Sequence, residues 1–237
     1  MMQWVNDPNS KYVCRLACSG VDIDEAMEER YLRFFNGTCD IDHPTLDIER
    51  FIDYLRKDNI EYDPEATDLS VDVLGVTLFN PDDSRVIRIS ANLYRQRNST
   101  TTKGRFRFTC AHEVFHALYH RRLFRGGGRL VCFGHHIQED VVEPVLMTDD
   151  FTEWQANRGA AGLLMPVSIF KESVSRIRKL SPRISRNILI QELSTRFGVS
   201  RRSVEIRLQT LKLLVPREEV FVLENDGIDS YRDSRER

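Results

Sequence analysis

Arg105-Phe106-Arg107-Phe108-Thr109-Cys110-Ala111-His112-Glu113-Val114-Phe115-His116-Ala117-Leu118-Tyr119-His120 is the stretch on which the reading of this chain turns. Its apolar side chains recur at helical intervals, and on a helix residues i and i+4 share one face about 6 Å apart. The imidazoles of His112 and His116 can therefore reach one ion, and the carboxylate of Glu113 can orient a water beside it. A divalent cation lowers the pKa of such a water toward about 7, and a neighbouring carboxylate can take its proton as it attacks a carbonyl. His120 extends the series, but at 1.5 Å per residue it sits about 12 Å along the axis from His112, too far to share the ion.

H-E-x-x-H also arises by chance in unrelated helices, so a third ligand decides the matter. A third His six residues past the second is absent, because that place is Arg122. The better candidate lies in Asp149-Asp150-Phe151-Thr152-Glu153-Trp154-Gln155-Ala156-Asn157-Arg158-Gly159-Ala160-Ala161-Gly162-Leu163-Leu164-Met165-Pro166. A second helix packed beside the first can present Glu153 as an oxygen ligand and, one turn on, Asn157 as acceptor for a ligand imidazole N–H. Ala156, Gly159, Ala160, Ala161 and Gly162 are small enough to let two helices approach closely.

These two segments resemble a known family, the ImmA/IrrE metallopeptidases, which are small gluzincin-like enzymes. Arg107 to His116 is similar to the family's R-F-T-x-A-H-E-x-x-H, and Glu153 to Pro166 is similar to E-x-E-A-N-x-F-A-A-x-L-L-M-P. The resemblance implies an α+β fold with a short sheet and two zinc-binding helices. It implies a zinc ion, with manganese as the alternative, on His112, His116 and Glu153, with Glu113 as catalytic base and Asn157 behind the ligands. It further implies a protein substrate, a partner transcriptional repressor with its own helix-turn-helix, whose cleavage switches on genes for stress response or mobile elements. Three departures stand out: Phe115 replaces the family's usual Gly before the second His, Gln155 replaces the middle Glu of E-x-E-A-N, and Arg158-Gly159 displaces the usual aromatic after the Asn. His135, His136, Tyr119 and Arg158 are candidates to polarise a scissile carbonyl.

With 237 residues, 41% of them hydrophobic, the chain can bury one sizeable core and a small satellite domain. No apolar run approaches the roughly 18 residues of a membrane span, and Met1-Met2-Gln3-Trp4-Val5-Asn6 lacks the build of a signal peptide, so a cytoplasmic protein without membrane contact is expected. Cys14, Cys18, Cys39, Cys110 and Cys132 form no CxxC pair and read as reduced thiols. Residues 171–217 hold 12 Lys or Arg against 3 acids, whereas 218–237 hold 7 acids and 3 bases. The expected organisation is a peptidase domain over 1–169, a basic helical module over 170–217 and an acidic tail over 218–237.

Upstream of the metal segment, Val21 to Phe35 reads as an amphipathic helix stopped by Asn36-Gly37, and Thr45 to Lys57 as a second. Ser70–Phe79 and Arg85–Ser90 read as a β-hairpin around Asn80-Pro81-Asp82-Asp83-Ser84. Gly126-Gly127-Gly128 reads as a flexible hinge. In the basic module, residues 187–211 have the build of a helix-turn-helix: Leu189 and Leu193 face inward, Gly198 turns, Ser200 caps, and Val204, Leu208 and Leu211 line the second helix. Arg201, Arg202 and Arg207 are expected to project outward as a DNA or partner contact. The competing class is thus a DNA-binding regulator whose metal site is structural or silent, and a third is a toxin or antitoxin acting by interaction alone.

Overall fold

The computed structural model describes residues 1–213 apart from 9, 11 and 134–150; the acidic tail, His135 and His136 lie outside the described residues. A hairpin, β1 (Gln3–Asn6) and β2 (Cys14–Ala17), leads to α1 (Gly20–Phe34). Ser19 and Asp22 form a reciprocal capping box there: Ser19 Oγ accepts from the Asp22 amide at 3.2 Å, and Asp22 Oδ2 accepts from the Ser19 amide at 2.8 Å. Cys14 lies on β2. After α1 ends, Asp47 caps α2 (Ile48–Tyr54), whose last turn tightens to a 3-10 helix over Leu55–Asp58 before Asn59 reverses the chain at φ 61°.

A four-stranded sheet follows, made of β3 (Ile60–Ala66), β4 (Val73–Phe79), β5 (Arg85–Ser90) and β6 (Gly128–Phe133) in the order β3-β5-β4-β6. The β4–β5 hairpin forms as expected, with Phe79 opposite Arg85. The sequence does not announce β3 or β6: β3 carries Glu61, Asp63, Pro64 and Glu65, which are poor strand formers, and it pairs with β5 in parallel. The glycine triplet is not a hinge between elements; it delivers the chain straight into β6, where Gly128 pairs with Phe79 and Cys132 with Gly75.

A short α3 (Ala91–Arg95) connects the sheet to α4 (Lys103–Tyr119), which packs on β4 and is buried without interruption from Phe106 to Ala117. Beside it runs α5 (Phe151–Leu164), which also packs on α1. Then come α6 (Val167–Leu180), α7 (Arg186–Phe197) and α8 (Arg201–Thr210), with Gly198 in the left-handed region between the last two and Ser200 Oγ accepting from the Ser203 amide at 2.9 Å. Leu189, Leu193, Phe197, Val204 and Leu208 share one continuous core with Ile23, Phe106 and Phe170.

The expectation that Arg207 projects outward is corrected by the structure. Its side chain is 1% exposed; Nη1 donates to Asp24 Oδ1 at 2.7 Å, and Nε and Nη2 donate to the Met165 carbonyl at 3.1 and 2.8 Å. Asp24 also ion-pairs with Arg158 of α5, so one buried carboxylate joins α1, α5 and α8. The physical reason is periodicity: Arg207 lies one turn from both Val204 and Leu211, on the inward stripe, and the buried partners satisfy its charge. Among the described residues, no helix is long and apolar enough to cross a membrane.

Candidate metal centre

The one-turn spacing within α4 brings His112 Nε2 and His116 Nε2 to 2.9 Å from each other. Across the α4–α5 contact, Glu153 offers Oε2 at 3.2 Å from His112 Nε2 and Oε1 at 3.4 Å from His116 Nε2. Both imidazoles are buried, and the three donor atoms close on one point. Two imidazole nitrogens and one carboxylate oxygen are the donor set of a catalytic zinc site with a position left open.

Hydrogen bonds on the far side of each ring fix which nitrogen faces the ion. His112 Nδ1 is 2.9 Å from Asn157 Oδ1, the acceptor role read from the sequence. His116 is held by a longer relay that the sequence reading missed. Gln155 Nε2 donates to the Leu16 carbonyl at 2.7 Å and to Cys18 Sγ at 3.0 Å, so its Oε1 accepts from His120 Nε2 at 2.9 Å. His120 Nδ1 then accepts from His116 Nδ1 at 2.7 Å, which leaves the His116 Nε2 lone pair for the ion. Burial and the neighbouring His116 push the His120 pKa down to about 3, so it stays neutral as the relay requires. His120 is too far along the helix to be a ligand, and Gln155 proves more than a missing carboxylate: together they orient His116.

The electrostatics without an ion mark the same point. Burial opposes charge on His112, but Cys132 and Glu153 outweigh it and hold its pKa well above the usual imidazole value. Burial likewise opposes charge on Glu153, yet His116 and His112 hold its pKa far below the usual carboxylate range. The cluster thus favours a positive charge between its donors, and a proton takes the place a cation fits.

Glu113 is fully buried and points from α4 toward β4. Its Oε2 accepts from Thr77 Oγ1 at 2.6 Å, while Oε1 is buried with no hydrogen-bond partner. Room for that carboxylate comes from Gly75, where a Cβ would stand 2.8 Å from Glu113 Oε1. Burial pushes the Glu113 pKa up to about 7. Tyr119 and Arg158 do not join the cluster: the first is hydrogen-bonded to Arg30 and the second is paired with Asp24.

Phe115 and Gly159, two of the departures from the family pattern, turn out to be one. A Cβ at Gly159 would lie 2.0 Å from Phe115 Cδ2, so the Phe115 ring occupies the notch that the glycine leaves between α4 and α5. The large and small residues have exchanged helices, and the same volume is filled from the other side.

Two imidazoles and a carboxylate converging beside a mixed sheet, with a buried glutamate next to the first ligand, define the class as metal-dependent peptidases. The family model described as the IrrE N-terminal-like domain, a peptidase family numbered M78, matches residues 72–209, more than half of the chain. The chain belongs to this family of ImmA/IrrE metallopeptidases. A search of curated proteins returned no match. The matched stretch begins just ahead of β4 and ends within α8, so it takes in both helices of the centre and the α7–α8 pair.

Proposed function

We propose that this chain is a zinc-dependent endopeptidase that acts in the cytoplasm on a partner transcriptional repressor carrying its own helix-turn-helix. Loss of that repressor induces stress-response or mobile-element genes. The observation that carries the chemistry is Glu113, one oxygen tied to Thr77 and the other bare beside His112. A divalent cation held by His112, His116 and Glu153 would supply Lewis acidity, polarising the scissile carbonyl and acidifying water. Glu113 accepts the water's proton on Oε1 as the oxygen attacks, then returns a proton to the departing amine. Burial, which opposes charge on this carboxylate, favours its taking a proton. The Thr77 hydrogen bond keeps the carboxylate from swinging away.

The substrate class rests on the family resemblance, and the regulator reading is the competitor. That reading loses a contact with the burial of Arg207, while Arg201 donates to Gln191 Oε1 at 2.9 Å and Arg202 to Glu205 Oε2 at 3.4 Å on the exposed face. Co-expression with a candidate helix-turn-helix repressor tests the assignment. Glu113→Gln should keep one metal per chain by elemental analysis while cleavage falls on the order of 10² to 10⁴-fold. Equal cleavage by both proteins sinks the peptidase mechanism and leaves the regulator.

A further inference from the structure

The turn between α6 and α7 holds apolar side chains out in water. Leu180 is 86% exposed and Ile188 54% exposed. Ser181, Pro182, Arg183, Ile184 and Ile188 line a groove of about 530 Å³ there, and Leu180 leads into it from the end of α6. The exposed bases Lys179, Arg183 and Arg186 accompany it along the chain. Contiguous exposed apolar surface with a polar rim marks an interaction site. An apolar floor with a basic rim fits an acidic peptide with an apolar centre, whereas a phosphate backbone would leave Leu180 and Ile188 in water.

A segment of that chemistry follows α8 in this same chain. Glu218-Glu219-Val220-Phe221-Val222-Leu223-Glu224 sets four apolar residues between acids. The fold also delivers it to the right side of the molecule. Arg201, at the start of α8, donates to Gln191 Oε1 at 2.9 Å, and one turn later Glu205 Oε1 accepts from Arg186 Nη2 at 3.1 Å. Moving forward along α8 is therefore moving back along α7, toward the turn that carries the groove. Leu211 and Leu213, the latter the last described residue, pack against the same core as Ile184. The eight residues from Leu213 to Phe221 reach up to roughly 28 Å when extended.

We propose that residues 218–224 seat in this groove, with Phe221 and its apolar neighbours on Leu180, Ile184 and Ile188 and the glutamates on Lys179 and Arg183. The contact is made within one chain and covers the patch.

Hydrogen–deuterium exchange of the full chain, read on peptides that cover 218–224, tests it. These amides should exchange on the order of tenfold more slowly than the free-chain rate, because covering one large aromatic side chain is worth that much. Leu180→Asp/Ile188→Asp and Phe221→Asp should each remove the protection while α4 stays protected. Lys179→Glu/Arg183→Glu should remove most of it, and adding Glu218→Lys/Glu219→Lys should restore it, which a merely misfolded variant could not do. Free-chain exchange over 218–224 in wild type overturns the proposal. Protection that survives the groove substitutions puts the segment elsewhere and overturns it too. Protection that fades on dilution, as the sedimentation mass falls from two chains to one, gives the groove to a second copy's segment and overturns the contact within one chain.

Discussion

Gly159→Ala adds a single methyl group, and the structure says where it goes. The new Cβ would stand 2.0 Å from Phe115 Cδ2 and 2.6 Å from Cγ, so the ring must retreat by more than an ångström. Phe115 is fully buried and packed against Tyr119 and His120 at 4.8 and 5.4 Å between centroids, which leaves it little room. Overpacking of this kind costs about 1–3 kcal/mol, here toward the upper end, while Ala over Gly in a helix returns about 1 kcal/mol. The net loss is then about 2 kcal/mol. Phe115→Ala alone should cost about 3–5 kcal/mol through the cavity it opens. In that background the same Gly159→Ala meets no ring, partly fills the hole, and should stabilise by about 1 kcal/mol. The sign reversal amounts to a coupling of about 3 kcal/mol. Urea midpoints of the four chelator-treated proteins at matched slope measure it, and the reciprocal exchange Phe115→Gly/Gly159→Phe should be milder than either single change. If Gly159→Ala has the same sign and size in both backgrounds, the two residues do not share a volume and the exchange argument is wrong.

One divalent ion per chain is expected, and His116→Ala and Glu153→Ala should each abolish stoichiometric binding in elemental analysis; full retention by either would show the ligand set to be wrong. In metal-free protein, the Glu113 pKa near 7 lies above its usual 4.5, so the native state holds a proton that the unfolded chain has lost. Stability from this group is complete below pH about 4.5 and falls by about 3 kcal/mol as pH rises to about 7, a slope that Glu113→Gln should lack in denaturation series across that window. Arg207→Met should destabilise by about 3 kcal/mol in the same assay, because Asp24 loses a buried partner, whereas Arg201→Ala should lie within about 0.5 kcal/mol of wild type.

The parts of the centre legible in the sequence were those with a local period. His112 and His116 declare themselves by an i, i+4 spacing on a strongly apolar helix, and Glu153 and Asn157 by one turn of another. What escaped depended on contacts distant in sequence. Cys132 reaches His112 only because β6 returns to the free side of β4, and nothing in Gly128–Phe133 says which strand it will join. His120 lies too far along α4 to be a ligand, and its role depends on Gln155 and the Leu16 carbonyl being in place behind it. Arg207 was different, since the helical period already grouped it with Val204 and Leu211. There the charge overrode the pattern, and the partner that resolved the conflict, Asp24, lies 183 residues earlier.

That distance bears on when the centre can exist. During synthesis the two histidines and Glu153 emerge well ahead of α8, whose arginine closes the Asp24 cluster that also anchors Arg158 beside Asn157. Until α8 has left the ribosome, Asp24 and the apolar face around Met165 lack their cover, and α5 lacks a settled seat against α1. The candidate metal centre thus gains its full packing only once α8 has emerged, and a chain terminated before α8 would carry the full motif without that support.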